Sequence, residues 1–177
     1  MHLKTKQLTH TEIINTTYKV PVILVCDRLQ SPANAGGLLR LCEAMGVEKI
    51  YFSASQFDLS SNRLKRTARN AEKNISYEFV EDIHQLIKKY KSKNYFIAGL
   101  EVTNTSSPIS QIKNLNAKKV LLILGNEKQG ISEQVLQEIE HCYHIPMSGI
   151  NSSMNVVHAS AIALYLLKEH LNDTREI

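Results

Sequence analysis

The chain has 177 residues, 43% of them hydrophobic and 21% charged, which suffices for one domain with a hydrophobic core and excludes an intrinsically disordered protein. The net charge of +4 and the pI near 8.9 permit a nucleic-acid partner without requiring one, and we expect no DNA partner because DNA-coating proteins are usually more basic. No repeat or linker composition interrupts the sequence, so we predict a single domain over residues 1–177, with a short N-terminal extension over residues 1–19.

The cysteines and the apolar stretches indicate a cytoplasmic protein. Cys26, Cys42 and Cys142 are odd in number and no two stand at a metal-ligand spacing, so we predict reduced, packed thiols and no metal site. The first twenty residues lack the apolar centre of a signal peptide. The longest apolar helical stretch, residues 156–167, is shorter than the roughly 20 residues of a membrane span, so we expect no membrane partner.

The first predicted strand and helix occupy the chain up to Gly46. Residues 20–26 form a continuous apolar run of the kind found in parallel sheets that are covered on both faces. Turn-forming residues follow, and Asn34 is predicted to cap a helix whose apolar residues recur at helical spacing. Gly46 is a natural end for that helix.

The rest of the chain alternates strands and helices in the same way. A second strand is predicted at residues 49–53, and a polar, locally basic stretch follows from residue 53 to residue 74. Further strands are predicted at residues 75–80, 95–100, 118–124 and 141–145, with helices beginning near Ile83, Ser132 and Asn155. This alternation predicts an α/β fold with a mostly parallel sheet flanked by helices.

The last two predicted helices follow the strands at residues 118–124 and 141–145. Ser132 is predicted to cap a helix that turns Val135, Leu136 and Ile139 inward, and the last helix is predicted to run from Asn155 to about His170. Ligands of open α/β sheets bind beyond the carboxyl ends of the strands. The loops to search therefore follow Val25, Leu100, Leu124 and Ile145.

Arg40 is an unusual residue at its predicted position. It stands among apolar residues of a helix that should pack on the sheet, and a buried guanidinium without a partner is costly. Arg40 therefore either pairs with an acidic side chain or points into a site that binds phosphate or another polar ligand. The sequence by itself leaves both possibilities open.

Residues 125–130, Gly-Asn-Glu-Lys-Gln-Gly, join the most apolar strand to a helix. Two glycines and an asparagine permit close backbone approach and a positive φ angle. The segment matches neither the phosphate-binding P-loop nor the dinucleotide-binding Gly-x-Gly-x-x-Gly pattern. By itself it indicates a nucleotide-sized ligand only weakly, and a plain tight turn is the alternative.

Residues 145–155 are small, polar and flexible, and they lead into the last helix. Serines and asparagines stand beside Met147 and Met154, a mixture that suits a ligand with an adenine ring and polar ends. Helix capping is an alternative explanation for Asn155.

Taken together, these three segments resemble the signature motifs of the SpoU (TrmH) family of SPOUT methyltransferases. The matching residues are Asn34, Arg40 and Gly46 for the first motif, Leu124 to Gly130 for the second, and Ile145 to Gly149 followed by Ser153 to Val156 for the third. The order and spacing agree over residues 20–167. Met154 stands in place of the usual leucine, and Val157-His158 replaces a small or β-branched pair, while the five polar positions of the motifs are all present.

The resemblance implies a C-terminal trefoil knot whose loops bind S-adenosyl-L-methionine (SAM). The cofactor-binding positions would be Leu100, Gly125, Ile145, Ser153 and Met154. The resemblance also implies a homodimer that forms through the knotted face, with residues of both subunits completing each site.

The implied reaction is methylation of an RNA ribose 2′-hydroxyl. Arg40 as a literal base conflicts with the permanent protonation of arginine, so we expect it to bind the RNA phosphate and the developing alkoxide. Asn34 and Glu127 would orient Arg40. Ser153 and Asn155 would hold the ribose or the cofactor carboxylate.

The expected substrate is RNA, with tRNA favoured over rRNA because the sequence resembles the compact members of the family. The candidate phosphate contacts are Arg63, Lys65, Arg66, Arg69 and Lys128, with a solvated basic helix as the alternative for the first four. Other readings are an rRNA 2′-O-methyltransferase, a base-nitrogen methyltransferase of the same fold, a non-catalytic RNA-binding relative and a flavodoxin-like nucleotide protein. A flavodoxin-like protein would place its phosphate loop after the first strand, and residues 27–34 lack the density of Ser, Thr and Gly that such a loop requires.

Overall fold

The structure is a computed structural model that describes residues 5–9, 12–13 and 18–173. About half of the predicted N-terminal extension, residues 1–19, lies outside this described part. No helix in these ranges is long and apolar enough to cross a membrane.

Seven strands form one sheet in which every pair is parallel, and this confirms the predicted parallel α/β architecture. The strands are β1 Val20–Asp27, β2 Val47–Ser53, β3 Tyr77–Val80, β4 Phe96–Leu100, β5 Ser107–Pro108, β6 Val120–Leu124 and β7 His141–His144. Their order across the sheet is β3-β2-β1-β6-β4-β7-β5. The two-residue strand β5 lies between residues 100 and 118, where the sequence predicts no strand.

In the described part of the chain, five α-helices cover the sheet: α1 Pro32–Met45, α2 Asn62–Ala68, α3 Ile83–Lys91, α4 Glu133–Leu136 and α5 Val156–Asp173. Short 3₁₀ helices occupy Ala71–Lys73 and Ile109–Asn114. Helix α2 falls in the polar stretch after residue 53. It buries only Leu64 and Ala68 and leaves the rest of its surface to solvent, so its periodic apolar signal is weak.

The two faces of the sheet support two hydrophobic cores. All eight residues of β1 are buried, which explains the continuous apolar run in the sequence. Because side chains alternate along a strand, Leu24 packs on the side of α1 and α5, while Ile23 and Val25 pack on the side of α3. Cys26, Cys42 and Cys142 are buried and free, as predicted.

The predicted cap of α1 is wrong, and the predicted start of α4 at Ser132 is confirmed without a side-chain capping bond. Ser31, rather than Asn34, caps α1 by accepting from the backbone N–H of Asn34, so the Asn34 side chain is left for other contacts. Ser132 holds the capping position of α4, but its side chain makes no capping bond. Helix α4 ends at Leu136, so Ile139 lies beyond it.

The other two helix ends agree with the sequence. Gly46 ends α1 in the left-handed region at φ 73°, a conformation in which a side chain costs energy. Asn155 precedes α5 and accepts a hydrogen bond from the N–H of Val157 at 2.8 Å, which is a capping geometry. Helix α5 begins where predicted and continues to Asp173, beyond the predicted end near His170.

Candidate active site

A cavity of about 570 Å³ opens at the carboxyl ends of β4, β6 and β7. Four separate segments of the chain contribute to its wall: residues 100–102, 124–130, 144–147 and 152–159, with Asn34 of α1 at the edge. Its volume falls within the range of small-molecule and cofactor sites. The cavity therefore lies where an open parallel sheet places its ligand.

The five positions predicted to bind the cofactor all line this cavity: Leu100, Gly125, Ile145, Ser153 and Met154. Four of the five residues predicted to act in catalysis line it as well, namely Asn34, Glu127, Ser153 and Asn155. Lys128, predicted to contact RNA, also lies in the wall. The fold thus gathers residues that are far apart in the sequence at one site.

Three of these polar side chains form a continuous hydrogen-bonded chain. The Asn34 Nδ2 donates to Glu127 Oε1 at 3.0 Å, and the Asn155 Nδ2 donates to Asn34 Oδ1 at 3.0 Å. One residue comes from each of the three motif segments. The chain therefore ties the start of α1, the loop after β6 and the start of α5 together at the rim of the cavity.

The orientation of each amide in this chain is determined by its end groups. An ionised carboxylate only accepts hydrogen bonds, so Glu127 requires the NH₂ group of Asn34 to face it. At the other end, the oxygen of Asn155 is occupied by the N–H of Val157, so the NH₂ group of Asn155 turns to Asn34. Both requirements agree, and no amide has to be reversed.

Glu127 is held as an anion. Partial burial alone would raise its pKa, but bonds from the Asn34 side chain and from the backbone N–H groups of Ser31 and Gln30 outweigh that effect. The net result is a pKa below the ordinary value of the group. Glu127 thereby supports the entry to α1 as well as the amide chain.

The loop after β6 is built as a closed turn around Asn126. Its backbone pairs with Gly130 in both directions at 3.0 Å, and its side-chain oxygen accepts from the N–H groups of Lys128 and Gln129. Gly130 has φ 66°, and a Cβ there would come within 2.5 Å of the Glu101 carboxylate. The second glycine of the segment is therefore required by geometry.

Sequence reasoning missed the carboxylates that hold this loop. Glu101 directly follows β4, lines the cavity and accepts from the N–H of Ile131 at 3.1 Å. Asp27 ends β1 and accepts from the N–H of Ser132 at 2.9 Å, while the neighbouring Arg28 donates to the oxygen of Gly130. An acidic residue at the carboxyl end of a predicted strand was the available signal.

The structure places Arg40 on the exposed side of α1 and outside the cavity, although its neighbours in the sequence are apolar. It is exposed, it is not part of the cavity wall, and it forms no hydrogen bond or ion pair within the described ranges. The expectation of a buried guanidinium is therefore wrong, because Arg40 falls between the buried positions Leu39 and Cys42 on the outer side of α1. No hydrogen bond joins Arg40 to Asn34 or Glu127 in the described part of the chain.

The four other basic residues predicted to contact RNA lie together on or beside α2. Arg63, Lys65, Arg66 and Arg69 are all exposed and form no ion pair in the described part of the chain. Helix α2 packs closely on α1, where a Cβ at Gly36 would come within 2.4 Å of the Leu64 oxygen.

In the described ranges, no group of three His, Cys, Asp or Glu side chains could hold a metal ion.

The profile of the SpoU rRNA Methylase family matches residues 21–165, which include the whole of the site. The chain belongs to the SpoU rRNA Methylase family. Among curated relatives, this SpoU-family chain is 30% identical over 146 residues to the mouse tRNA (guanosine(18)-2′-O)-methyltransferase, covering 81% of the chain and 9% of the relative. It is 27% identical to an uncharacterized tRNA/rRNA methyltransferase of Borreliella burgdorferi, covering 85% of the chain and 64% of the relative. The chain thus spans less than two thirds of the length of both relatives.

Solved structures share the fold of this SpoU-family chain. The AdoMet-bound rRNA methyltransferase of Sinorhizobium meliloti superposes with a TM-score of 0.78 at 21% identity, covering 87% of this chain and 58% of that one. The TrmH/SpoU tRNA modifying enzyme of A. aeolicus superposes with a TM-score of 0.77 at 22% identity, covering 89% and 78%.

Proposed function

We propose that this SpoU-family chain is an RNA methyltransferase that uses SAM to methylate a ribose 2′-hydroxyl. The observation that carries the proposal is the chain of Glu127, Asn34 and Asn155 at the rim of a cavity lined by every position predicted to bind the cofactor. The mouse relative is named as a tRNA 2′-O-methyltransferase, and one structural neighbour is described as AdoMet-bound.

The cavity suits SAM in size and chemistry. Leu100, Ile145 and Met154 offer an apolar surface for an adenine ring, and Ser152 and Ser153 offer hydroxyl groups for the polar ends. When bound, SAM would supply a methyl group carried on a sulfonium. The Glu101 and Glu127 carboxylates in the wall would favour a positively charged ligand.

The residues of the chain would position the ribose and stabilise developing charge. Asn34 and Asn155 are already oriented by their hydrogen bonds, so they present fixed polar groups at the rim with little reorganisation. Lys128 in the wall adds a positive charge for an RNA phosphate. Ser153 is exposed and remains available to the ribose or to the cofactor carboxylate.

Arg40 is proposed to act in the site of a second subunit. It is exposed outside its own cavity, and it follows by one helical turn Gly37, which packs against Val157 at the start of α5. The outer side of α5 begins nearby and exposes Ile162 and Tyr165 at 39% and 53% of their surfaces. An apolar helix face of this kind supports the expected homodimer, which would carry Arg40 to its partner's bound RNA.

Three finer expectations complete the proposal. We expect the loops around the cavity to form the trefoil knot of SPOUT proteins, in keeping with the meeting of four separate segments at one edge of the sheet. We favour tRNA as the substrate because the mouse relative is named for it, with rRNA as the alternative that the S. meliloti neighbour suggests. The buried free cysteines are in keeping with work in the reducing cytoplasm.

The test is transfer of tritium-labelled methyl groups from SAM to unmodified tRNA and rRNA transcripts, followed by nuclease digestion and identification of the labelled nucleotide. A 2′-O-methylated nucleotide from either RNA is the expected result, and label from tRNA supports the favoured substrate. Label on a base would overturn the ribose assignment. If no label is transferred and calorimetry detects no SAM binding, the cofactor assignment is wrong.

A further inference from the structure

Four lysine side chains converge on three tyrosine rings at the amino-terminal edge of the sheet. Lys49 lies over the ring of Tyr51 at 4.8 Å, and Lys119 lies over the ring of Tyr95 at 5.6 Å. Lys89 and Lys93 both lie over the ring of Tyr90, at 5.7 and 5.8 Å. We call these four lysines and three tyrosines the lysine–tyrosine edge.

The three rings form one packed cluster. The hydroxyl groups of Tyr51 and Tyr90 are 3.1 Å apart, and the rings of Tyr90 and Tyr95 meet edge to face at 4.9 Å. All three rings are buried, at 9% exposure or less. The rings therefore hold the lysine stems in place while the ammonium groups remain at the surface.

This edge faces away from the candidate active site. Tyr95 directly precedes β4, and Leu100 at the end of β4 lines the cavity. Five strand residues at about 3.3 Å each separate the two by roughly 16 Å. The lysine–tyrosine edge is thus a second charged surface, distinct from the cavity and its loops.

The dipole of α3 explains only part of this arrangement. The helix dipole stabilises cations near the carboxyl end of a helix, which accounts for Lys89 in the last turn of α3. It does not account for Lys49 on β2 or Lys119 directly before β6. These come from other elements and meet Lys89 and Lys93 only through the tertiary fold.

Carboxylates neutralise only part of the edge, and Glu78 interacts electrostatically with Lys89 as well as with Lys49. Glu78 forms an ion pair with Lys49 at 2.6 Å, and Glu48 accepts a hydrogen bond from the hydroxyl of Tyr95. The other three lysines of the edge are exposed and form no ion pair within the described ranges. Additional exposed lysines flank them, namely Lys88, Lys91 and Lys118.

Tyr90 and Tyr95 stay neutral beside these cations. Burial is the main reason that the pKa values of Tyr90 and Tyr95 are raised above the ordinary range, and the hydrogen bonds to Tyr51 and Glu48 add to it. Neither Tyr90 nor Tyr95 therefore offsets the positive charge of the lysines near neutral pH.

We propose that the lysine–tyrosine edge binds the phosphate backbone of the substrate RNA at a point remote from the methylated ribose. The proposal rests on the function proposed above, because it assumes an RNA substrate. A protein partner fits less well, because the centre of a protein interface is apolar. None of the seven residues of the lysine–tyrosine edge is a large hydrophobic residue that is exposed to solvent. Because the buried rings cannot stack on bases, this contact would recognise the charge of the RNA backbone and would not depend on the base sequence.

The test compares RNA binding by two double variants that lose equal charge. The first is Lys93→Gln with Lys119→Gln in the edge. The control is Lys113→Gln with Lys168→Gln. Lys113 lies in the 3₁₀ helix Ile109–Asn114 and Lys168 lies in α5, both on the other face of the sheet. Lys168 also lies over an aromatic ring, that of Tyr18, so its replacement removes a ring contact as the edge variants do. Fluorescence anisotropy with a labelled, full-length, unmodified tRNA transcript from 50 to 200 mM KCl gives the affinity and its salt dependence.

The edge variant is expected to bind this RNA about 10-fold more weakly at low salt, with the salt slope reduced by about one for each lysine removed. Its KM for full-length RNA should rise while kcat, and its rate with a short stem-loop that spans only the cavity, match the wild type. The control variant should match the wild type throughout.

Equal RNA affinity and salt slope in the edge variant and the control would overturn the proposal. Loss of binding to phosphatidylserine vesicles with unchanged RNA binding would overturn it in favour of an anionic lipid surface. Failure of the proposed function has a different signature: the wild type would transfer no methyl group to any RNA. If it still bound RNA through Lys93 and Lys119, the edge would remain an RNA-binding surface, and only the assignment of that RNA as a methylated substrate would be overturned.

Discussion

Asn155 donates a hydrogen bond from its side-chain nitrogen to the side-chain oxygen of Asn34 at 3.0 Å, across 121 positions of sequence. Because Asn34 donates in turn to Glu127, two neutral amides relay the orientation set by one carboxylate. Both amide orientations are required, so a change that reverses one donor and acceptor should disturb the whole chain.

Replacing Asn34→Asp tests this relay. The new carboxylate would face the Glu127 carboxylate where an NH₂ group now donates, so we expect a loss of about 1–2 kcal/mol in unfolding free energy and at least about a 10-fold loss of methyl transfer. Urea denaturation and the tritium assay measure these. The control is Asn172→Asp, where the side chain donates to the hydroxyl of Tyr18 instead of a carboxylate. Equal behaviour of the two variants would show that the relay has no role.

Replacing Arg40→Ala should reduce turnover at least about 100-fold, because it removes the cation proposed to stabilise the developing alkoxide. SAM affinity by calorimetry should change less than about 2-fold, and stability by no more than about 0.5 kcal/mol, since Arg40 is exposed and outside the cavity. Glu43→Ala, one turn further along the exposed side of α1, is the control. Loss of SAM binding in the Arg40 variant would make Arg40 a structural residue.

Two glycines allow a matched test of the loop after β6. Gly130→Ala combines a left-handed φ of 66° with a Cβ 2.5 Å from Glu101, and we expect it to destabilise the protein by about 1–3 kcal/mol and to weaken SAM binding. Gly149→Ala should change stability by less than about 0.5 kcal/mol, because nothing lies within 4 Å of its added Cβ. Thermal unfolding and calorimetry compare them. A tolerant Gly130 would mean that the loop rearranges freely.

The pKa of Glu127 predicts how stability depends on acid. Its folded-state pKa lies below the ordinary value of 4.5, so the ionised form contributes stability at higher pH, and that contribution is lost as pH falls from about 4.5 through the lower folded pKa. Glu127→Gln removes this titration. Urea unfolding between pH 3 and pH 7 should show a smaller acid-induced loss in the variant than in the wild type, and identical curves would contradict the assignment.

The basic surface of α2 should contribute to RNA affinity without contributing to cofactor affinity. Arg63→Gln with Arg66→Gln removes two exposed charges, so RNA binding should weaken and its salt slope should fall by about two. SAM binding should be unchanged, because neither residue lines the cavity. The double variant of Lys113 and Lys168 is again the control. Unchanged RNA binding would leave α2 as a solvated basic helix.

Much of the fold could be predicted from local pattern. Continuous apolar runs such as that of β1 arise because a parallel strand covered on both faces buries every side chain, and this signal is visible without any knowledge of neighbours. The family resemblance placed the predicted cofactor positions at or after the ends of strands, and parallel strands bring such positions to one edge. That is why residues as distant as Leu100 and Met154 share a cavity.

The sequence alone determined the alternation of strands and helices, the stop at Gly46 and most of the residues that line the cavity, because each depends on periodicity or on a motif within a short segment. Only the tertiary structure decided that Arg40 faces outward, that Ser31 caps α1, and that Lys93 and Lys119 meet around buried tyrosines. These depend on helix rotation and on contacts between distant elements. Such contacts are selected by the free energy of packing the whole chain, which no local pattern contains.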